Sequence, residues 1–442
     1  MRPSALALVP LFAASSAGAA TNWVRAPYLQ ELGSRQVSVL AESDGAHGAK
    51  LEIARGGDAG PTVTAETPSK EAVIELTASG LEPATTYTYT LTLDDGTVAK
   101  GGFTTAPEDD RALSFVVYGD NRTYAQIHAA VVKAILATPS DFLVHTGDMI
   151  ADGSVPAQWT EFFSIERPLL SDRCVFPVIG NHEIGMPTSD GAQRYGRMFR
   201  VPAPAGSAER WYTFRFGSAR FFMLDAQDDF ASDELTWLEG ALTAADTEPG
   251  VVHRFAVMHH GPYSSGLHGP NAAMRLARIP QLFKKHRVDL VISGHDHAYE
   301  RGERDGLRYV VSGGGGAPLY KEFHPGEGAL KFEPVHHFVK VELEKTRATM
   351  TVFRLDGSVI ERCAFAPGGT AGWGCGAAPG PASTIPLTQP TPAPTSPLAP
   401  PAGGPAASRA CNCGVLGTRG EWLGLFAAAG LCVVAGLRRR RG

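Results

Sequence analysis

From Leu113 onward the chain alternates short apolar runs with segments of helical periodicity, and five of the runs end in a glycine-containing or His-His turn. The apolar runs are residues 113–117, 142–145, 175–179, 220–224, 254–258, 288–292 and 308–311. Helical spacing is read at 125–136, 157–169, 233–242 (with Ser232 as the N-cap) and 272–285. This alternation predicts an α/β domain, whose ligands bind at the carboxyl ends of the strands.

The residues after those runs carry the chemistry. Gly119-Asp120-Asn121-Arg122 follows the first run, Gly147-Asp148 the second and Gly180-Asn181-His182-Glu183 the third. His259-His260-Gly261-Pro262 follows the run at 254–258, and Gly294-His295-Asp296-His297 follows the run at 288–292. Five strands are thus expected to deliver Asp, Asn or His to the same edge of one sheet. Carboxylate and amide oxygens suit hard cations, and imidazole adds affinity for Fe, Mn or Zn. Any one of these motifs is weak evidence; all five, each placed after a strand, predict a two-metal site.

Gly-Asp, Gly-Asp, Gly-Asn-His-Glu, His and Gly-His-x-His, in that order, resemble the metallophosphoesterases. The continuation Gly294 to Arg301 resembles the purple acid phosphatase branch. The resemblance covers roughly residues 22–362. It implies an αββα sandwich of two mixed sheets with helices outside, and two metal ions, Fe with Zn or Mn. Asp120 and His297 would hold the first metal, Asp148 would bridge both, and Asn181, His259 and His295 would hold the second. His259 is preferred to His260 because it ends the strand and keeps the family's spacing to Tyr263. His182 would contact the substrate and protonate the leaving oxygen. A hydroxide bridging the metals would attack the phosphorus of a small phosphomonoester in line. The chain departs from the pattern at two positions. Ala151 stands where the purple enzymes place an iron-binding Tyr, and Arg122 stands where other members place a metal-binding His. Arg122 is read either as a clamp for the substrate phosphate, since guanidinium matches phosphate geometry, or as a solvated loop residue.

Residues 22–107 alternate apolar and polar positions at 35–41, 72–76 and 86–93, with no helical pattern. The segment from Leu81 to Tyr87 resembles the corner before a late strand of fibronectin type III domains, so an all-β sandwich is expected here, ahead of the catalytic domain at 111–365. Tyr263, Ser264, Ser265 and His268 are weighed as pocket lining. Packing is preferred for His336 and His337, and a tight turn for the glycines at 313–316.

The two ends read as targeting segments. Arg2, an apolar stretch and Ala17-Gly18-Ala19 predict a signal peptide over residues 1–20. A Pro-, Ala-, Thr- and Ser-rich linker is expected over 366–410, and a tail over 411–442. In that tail Cys411-Asn412-Cys413 precedes an apolar run and Arg438 to Arg441. It resembles sorting tails of the myxobacterial type; a plain membrane anchor is the other reading. Both place the protein outside the cytoplasm, secreted or on the surface of a Gram-negative bacterium. Cys363 and Cys375 are candidates for a disulfide, with Cys174 a buried lone thiol. A formal net charge of -5 gives no basic excess for nucleic-acid binding. The rival functions are a phosphodiesterase or nucleotide pyrophosphatase on the same site, and a non-catalytic surface binding protein. Oligomeric state is not legible.

Overall fold

The computed structural model describes residues 21–56, 60–185, 190–226, 232–369 and 372–376. These lie within one compact unit, Met1–Ala382. The expected signal peptide and tail lie outside the described residues, as does all but the start of the linker. Among the described residues no helix is long and apolar enough to cross a membrane.

The first seven strands are β1 (Trp23–Gln30), β2 (Gln36–His47), β3 (Ala49–Arg55), β4 (Val63–Glu66), β5 (Glu71–Ser79), β6 (Thr86–Leu93) and β7 (Val98–Thr104). They form two antiparallel sheets, β1-β2-β5 and β4-β3-β6-β7. The inward positions of β6, Tyr87, Tyr89, Leu91 and Leu93, are buried at every second residue, which is the half-buried alternation that reads as strand. At the corner before β6, the Glu82 backbone N–H donates to the Tyr87 hydroxyl at 2.9 Å.

The rest of the chain builds two seven-stranded sheets. The strands are β8 (Leu113–Tyr118), β9 (Phe142–His145), β10 (Val175–Pro177), β11 (Tyr212–Phe216), β12 (Ala219–Leu224), β13 (His253–Met258) and β14 (Leu290–Ser293). They continue as β15 (Tyr299–Arg304), β16 (Leu307–Ser312), β17 (Ala329–Glu333), β18 (His337–Glu344), β19 (Arg347–Arg354), β20 (Val359–Phe365) and β21 (Gly374–Gly376). One sheet has the order β10-β9-β8-β18-β19-β20-β21, the other β11-β12-β13-β14-β16-β15-β17. Parallel pairs occupy the middle of each sheet's functional half: β8 with β9 and β9 with β10, then β12 through β14 to β16.

Strands buried on both faces explain the continuous apolar runs. In β8, Phe115 and Val117 face the layer between the sheets, against Phe142, Phe221 and Phe255, while Val116 and Tyr118 face outward. The outer face of this sheet is covered by α1 (Ala125–Leu136) and α2 (Pro156–Leu170). Helix α1 buries His128, Val131, Val132 and Ile135, one stripe at helical spacing. Two short helices follow, α3 (Asn181–Ile184) and α4 (Gly191–Met198). The outer face of the second sheet is covered by α5 (Ser232–Thr247), α6 (Ala272–Leu276) and α7 (Ile279–Lys285).

Two expectations are corrected. The five ligand-bearing strands do not share one sheet: β8, β9 and β10 belong to the first sheet, β13 and β14 to the second. Periodicity reports that a strand is buried on both faces and is silent about which sheet it joins. The helix expected over 272–285 is two helices, because Arg278 takes a left-handed φ of 61° and Pro280 then opens α7.

The sandwich and the sheets share a continuous core. Tyr28 of β1 packs on Phe163 of α2, with ring centroids 4.8 Å apart, and its hydroxyl donates to Met198 O at 2.6 Å. Gln30 Nε2 donates to Val175 O at 3.3 Å, and Arg200 pairs with Glu75 at 2.7 Å. Cys363 and Cys375 form a disulfide between β20 and β21, and Cys174 is a buried free thiol.

Candidate metal centre

The cluster forms where the carboxyl ends of β8, β9, β10, β13 and β14 meet. Asp120, Asp148 and His295 all sit at left-handed φ, 57°, 55° and 70°. Such backbone is costly for residues with a side chain and concentrates at functional sites. Glycines precede or flank them because the space is taken. A Cβ on Gly294 would lie 2.5 Å from Asp120 Oδ2, and one on Gly180 would fall against Asp148 Oδ1.

Two ligand sets share one carboxylate. Asp120, Asp148 and His297 offer ligand atoms that all lie within 4.8 Å of one another, and so do Asp148, His259 and His295. Asp120, Asp148, His259 and His297 are fully buried. In the second set His259 Nδ1 donates to Thr146 O at 2.8 Å, which turns Nε2 toward the cluster. Around that nitrogen lie Asn181 Oδ1 at 3.0 Å, His295 Nδ1 at 3.1 Å and Asp148 Oδ1 at 3.2 Å. Four oxygen and imidazole donors converging on one point fit a divalent cation. In the first set His297 Nδ1 donates to Pro318 O at 2.7 Å, so its Nε2 lone pair faces Asp120 Oδ1, 3.6 Å away. This set also fits a cation, with fewer protein donors.

The electrostatics follow from packing these groups together out of water. Burial opposes the charge of Asp148, yet His259 and His182 beside it hold its carboxyl well below the usual carboxylate range. Burial would lower His259, but the Asp148 carboxylate raises it to about 10. Burial and the nearby Asp148 charge push Asp120 up. Burial and the Arg122 charge bring His297 down to about 4, and burial with three neighbouring imidazoles brings His295 down further.

Residues 113–299 match the Calcineurin-like phosphoesterase family. The chain carries a calcineurin-like metallophosphoesterase domain. It is 30% identical over 236 residues to probable purple acid phosphatase 20 of Arabidopsis thaliana, covering 51% of this chain and 54% of the relative. It is 27% identical over 217 residues to probable inactive purple acid phosphatase 1 of the same plant, covering 41% and 35%. The chain thus spans about half the length, or less, of the curated relatives it matches. Among solved structures, purple acid phosphatase PPD1 from yellow lupin (Lupinus luteus) seeds shares the fold at a TM-score of 0.67 and 19% identity, over 77% of this chain and 74% of that one.

Within the metallophosphoesterase domain, the remaining sequence candidates separate clearly. His260 belongs to neither ligand set: its Nε2 donates to Gly269 O at 3.1 Å, and its ring packs 4.4 Å from that of His295. His182 is partly exposed at the rim; its Nδ1 donates to Ala151 O at 2.7 Å, which leaves Nε2 3.7 Å from Asp148 Oδ2. Arg122 is not a solvated loop residue. It is mostly buried, with Nε on Asp148 Oδ2 at 3.3 Å and Nη2 on His297 Nε2 at 3.3 Å.

Of the weighed pocket residues, His268 reaches the cluster, its ring 4.1 Å from that of His295 and its Nδ1 3.1 Å from Asp296 Oδ1. Tyr263 does not: its hydroxyl donates to Asp305 at 3.0 Å. Ser264 and Ser265 bond Asp296 and Glu300. His337 is buried against Ser312 and Gly314, and Gly313, Gly315 and Gly316 pack against the Asp120 loop, with Gly315 N donating to Gly119 O.

Two residues of the site escaped sequence reasoning. Glu183 is fully buried and accepts the backbone N–H groups of Asp148, Met149 and Gly180 at 2.7–2.8 Å and of Ile150 at 3.4 Å. Its place in Gly-Asn-His-Glu was the available signal. Tyr320 stacks on His297 with ring centroids 4.1 Å apart, and it lies in a loop with no motif to mark it.

Proposed function

We propose that the chain is a binuclear-metal phosphoesterase that hydrolyses phosphomonoesters. The observation that carries this is the pair of ligand sets sharing Asp148. Asp120, Asp148 and His297 would hold one ion and Asp148, Asn181, His259 and His295 the other; iron with zinc or manganese suits this mixture of carboxylate, amide and imidazole. Bound there, the ions supply Lewis-acid polarisation of the phosphoryl oxygens and an activated water.

The chain's own groups do the rest. The carbonyls of Thr146 and Pro318 fix the ring orientations of His259 and His297. His182, pinned through Nδ1 to Ala151 O, presents Nε2 at the rim, where a proton on that atom can pass to the departing alkoxide. Arg122 lies close enough to the cluster for its guanidinium to meet a phosphate oxygen. With Ala151 in place of a tyrosine, no purple colour is expected.

Secretion or surface attachment belongs to the same proposal, supported by the Ala-rich start with its small-residue cleavage site and by the Cys363–Cys375 disulfide.

The direct test is hydrolysis of a generic aryl phosphate by the full chain, after chelation and again with Fe, Mn or Zn restored. Activity that vanishes on chelation and returns with one ion supports the proposal. Turnover indifferent to chelation removes it, and hydrolysis of diesters alone moves the assignment to a phosphodiesterase. His182→Ala is expected to retain its metal content and lose about 10²–10⁴ in kcat. Loss of metal in this variant would contradict the role given to His182.

A further inference from the structure

The first ligand set already holds a cation of the chain's own. The Arg122 guanidinium contacts Asp148 Oδ2 and His297 Nε2, both at 3.3 Å. His297 has its other nitrogen committed to Pro318 O, so Nε2 is its one free lone pair. Asp148 likewise uses Oδ1 for His259 and for the His182 N–H. The two atoms that Arg122 engages are therefore the two that a first metal would need. Asp120, buried 3.6 Å from the same His297 nitrogen, completes a set whose two carboxylates a single positive charge partly balances.

We infer that Arg122 competes with the first metal ion, so that the two sites fill unequally: the Asn181, His259 and His295 side first and tightly, the Asp120 and His297 side later and weakly. This rests on the two-metal reading above. The second set holds no Lys or Arg side chain; its donors meet around His259 Nε2. A cation entering the first set must displace a guanidinium or bind beside it, where the two positive charges repel with little water to screen them. The side chain has room to leave. Arg122 forms one wall of a cavity of about 250 Å³ with Thr123, Ala151, Gln158 and Glu161, and the small Ala151 keeps that wall open. Tightening of the first site is therefore linked to movement of Arg122 off Asp148 and His297. That movement frees the guanidinium for a phosphate.

The test is titration of the chelated full chain with Mn²⁺ alone, followed by calorimetry and by metal analysis after desalting. Wild type is expected to show one tight equivalent and a second at least about tenfold weaker. In Arg122→Ala and in Arg122→Gln, the second of which keeps side-chain length, the weak event is expected to tighten by about tenfold or more, whatever happens to turnover. Two equivalents of equal affinity in wild type overturn the inference, and so does loss of the second equivalent in both variants. Tight first-equivalent binding with no tightening in either variant overturns it while leaving the two-metal reading standing. No Mn²⁺ binding at all removes both.

Discussion

Asp148→Ala is expected to lose its metal ions and its turnover together, with kcat/KM down by at least about 10³-fold. Asp148 is the one residue common to both ligand sets, so its removal takes a donor from each. Charge stabilisation by bound cations contributes several kcal/mol to phosphoryl chemistry, and each 1.36 kcal/mol is about tenfold in rate. The same carboxylate also orders the cluster: Oδ1 receives the His182 N–H and His259 Nε2, and Oδ2 receives Arg122 Nε. Its loss leaves a buried imidazole and a guanidinium facing each other without the negative charge between them. Metal analysis of the purified variant alongside a rate assay reads both effects. Retention of two ions by Asp148→Ala would remove the bridging role, whatever the rate.

Glu183→Ala is expected to be the most damaging substitution outside the ligands. The Glu183 carboxylate accepts four backbone N–H groups of the loops carrying Asp148 and Asn181, and it is fully buried. Burial and the charge of Asp148 push its carboxyl up to about 7, while the bonds from those N–H groups pull it back. Truncation leaves buried donors unpaired, at about 1–3 kcal/mol each before relaxation, so a loss of about 3–5 kcal/mol is expected. Denaturant unfolding of the chelated protein measures it. Because the Asp148 backbone is held at a φ of 55° partly by this side chain, metal affinity should fall as well. An unchanged unfolding midpoint would mean that the loops hold their shape without Glu183.

The chemistry of the site was legible because its residues follow strands, and a strand buried on both faces leaves an unmistakable apolar run. Asp120, Asp148, Asn181, His259, His295 and His297 all stand at such ends, and the structure gathers them at one place. What was hidden is of two kinds. The first is membership: the split of the five strands between two sheets leaves no mark in the sequence, and β15 and β20 lack a clean alternation, whereas the alternation of β11, with Tyr212, Phe214 and Phe216 buried, was there to be read. In β19 Ala348, Met350 and Val352 are buried at every second residue, a short alternation of the same kind. The second is contact at long range. Arg122 meets His297 across 175 positions and Tyr320 stacks on His297 from a loop, and neither juxtaposition has a local signature. Helix α1 was read to the residue because its apolar stripe is regular, whereas the kink at Arg278 depends on one backbone dihedral.

The seam at about residue 107, where an all-β pattern gives way to α/β alternation, is a seam in topology. It is not one in stability. Tyr28 is anchored between Phe163 and Met198, and the inner layer of the sandwich runs without interruption into the layer between the two large sheets. Cutting the chain there would expose the back of α2, whose N-terminal turn holds the Ala151 loop through Gln158 and whose far face meets β1. The sandwich is therefore less an appended module than the outer wall of the catalytic fold. Exchanging it for another domain would mean rebuilding the outer face of α2, the helix that holds the Ala151 loop beside the ligand sets.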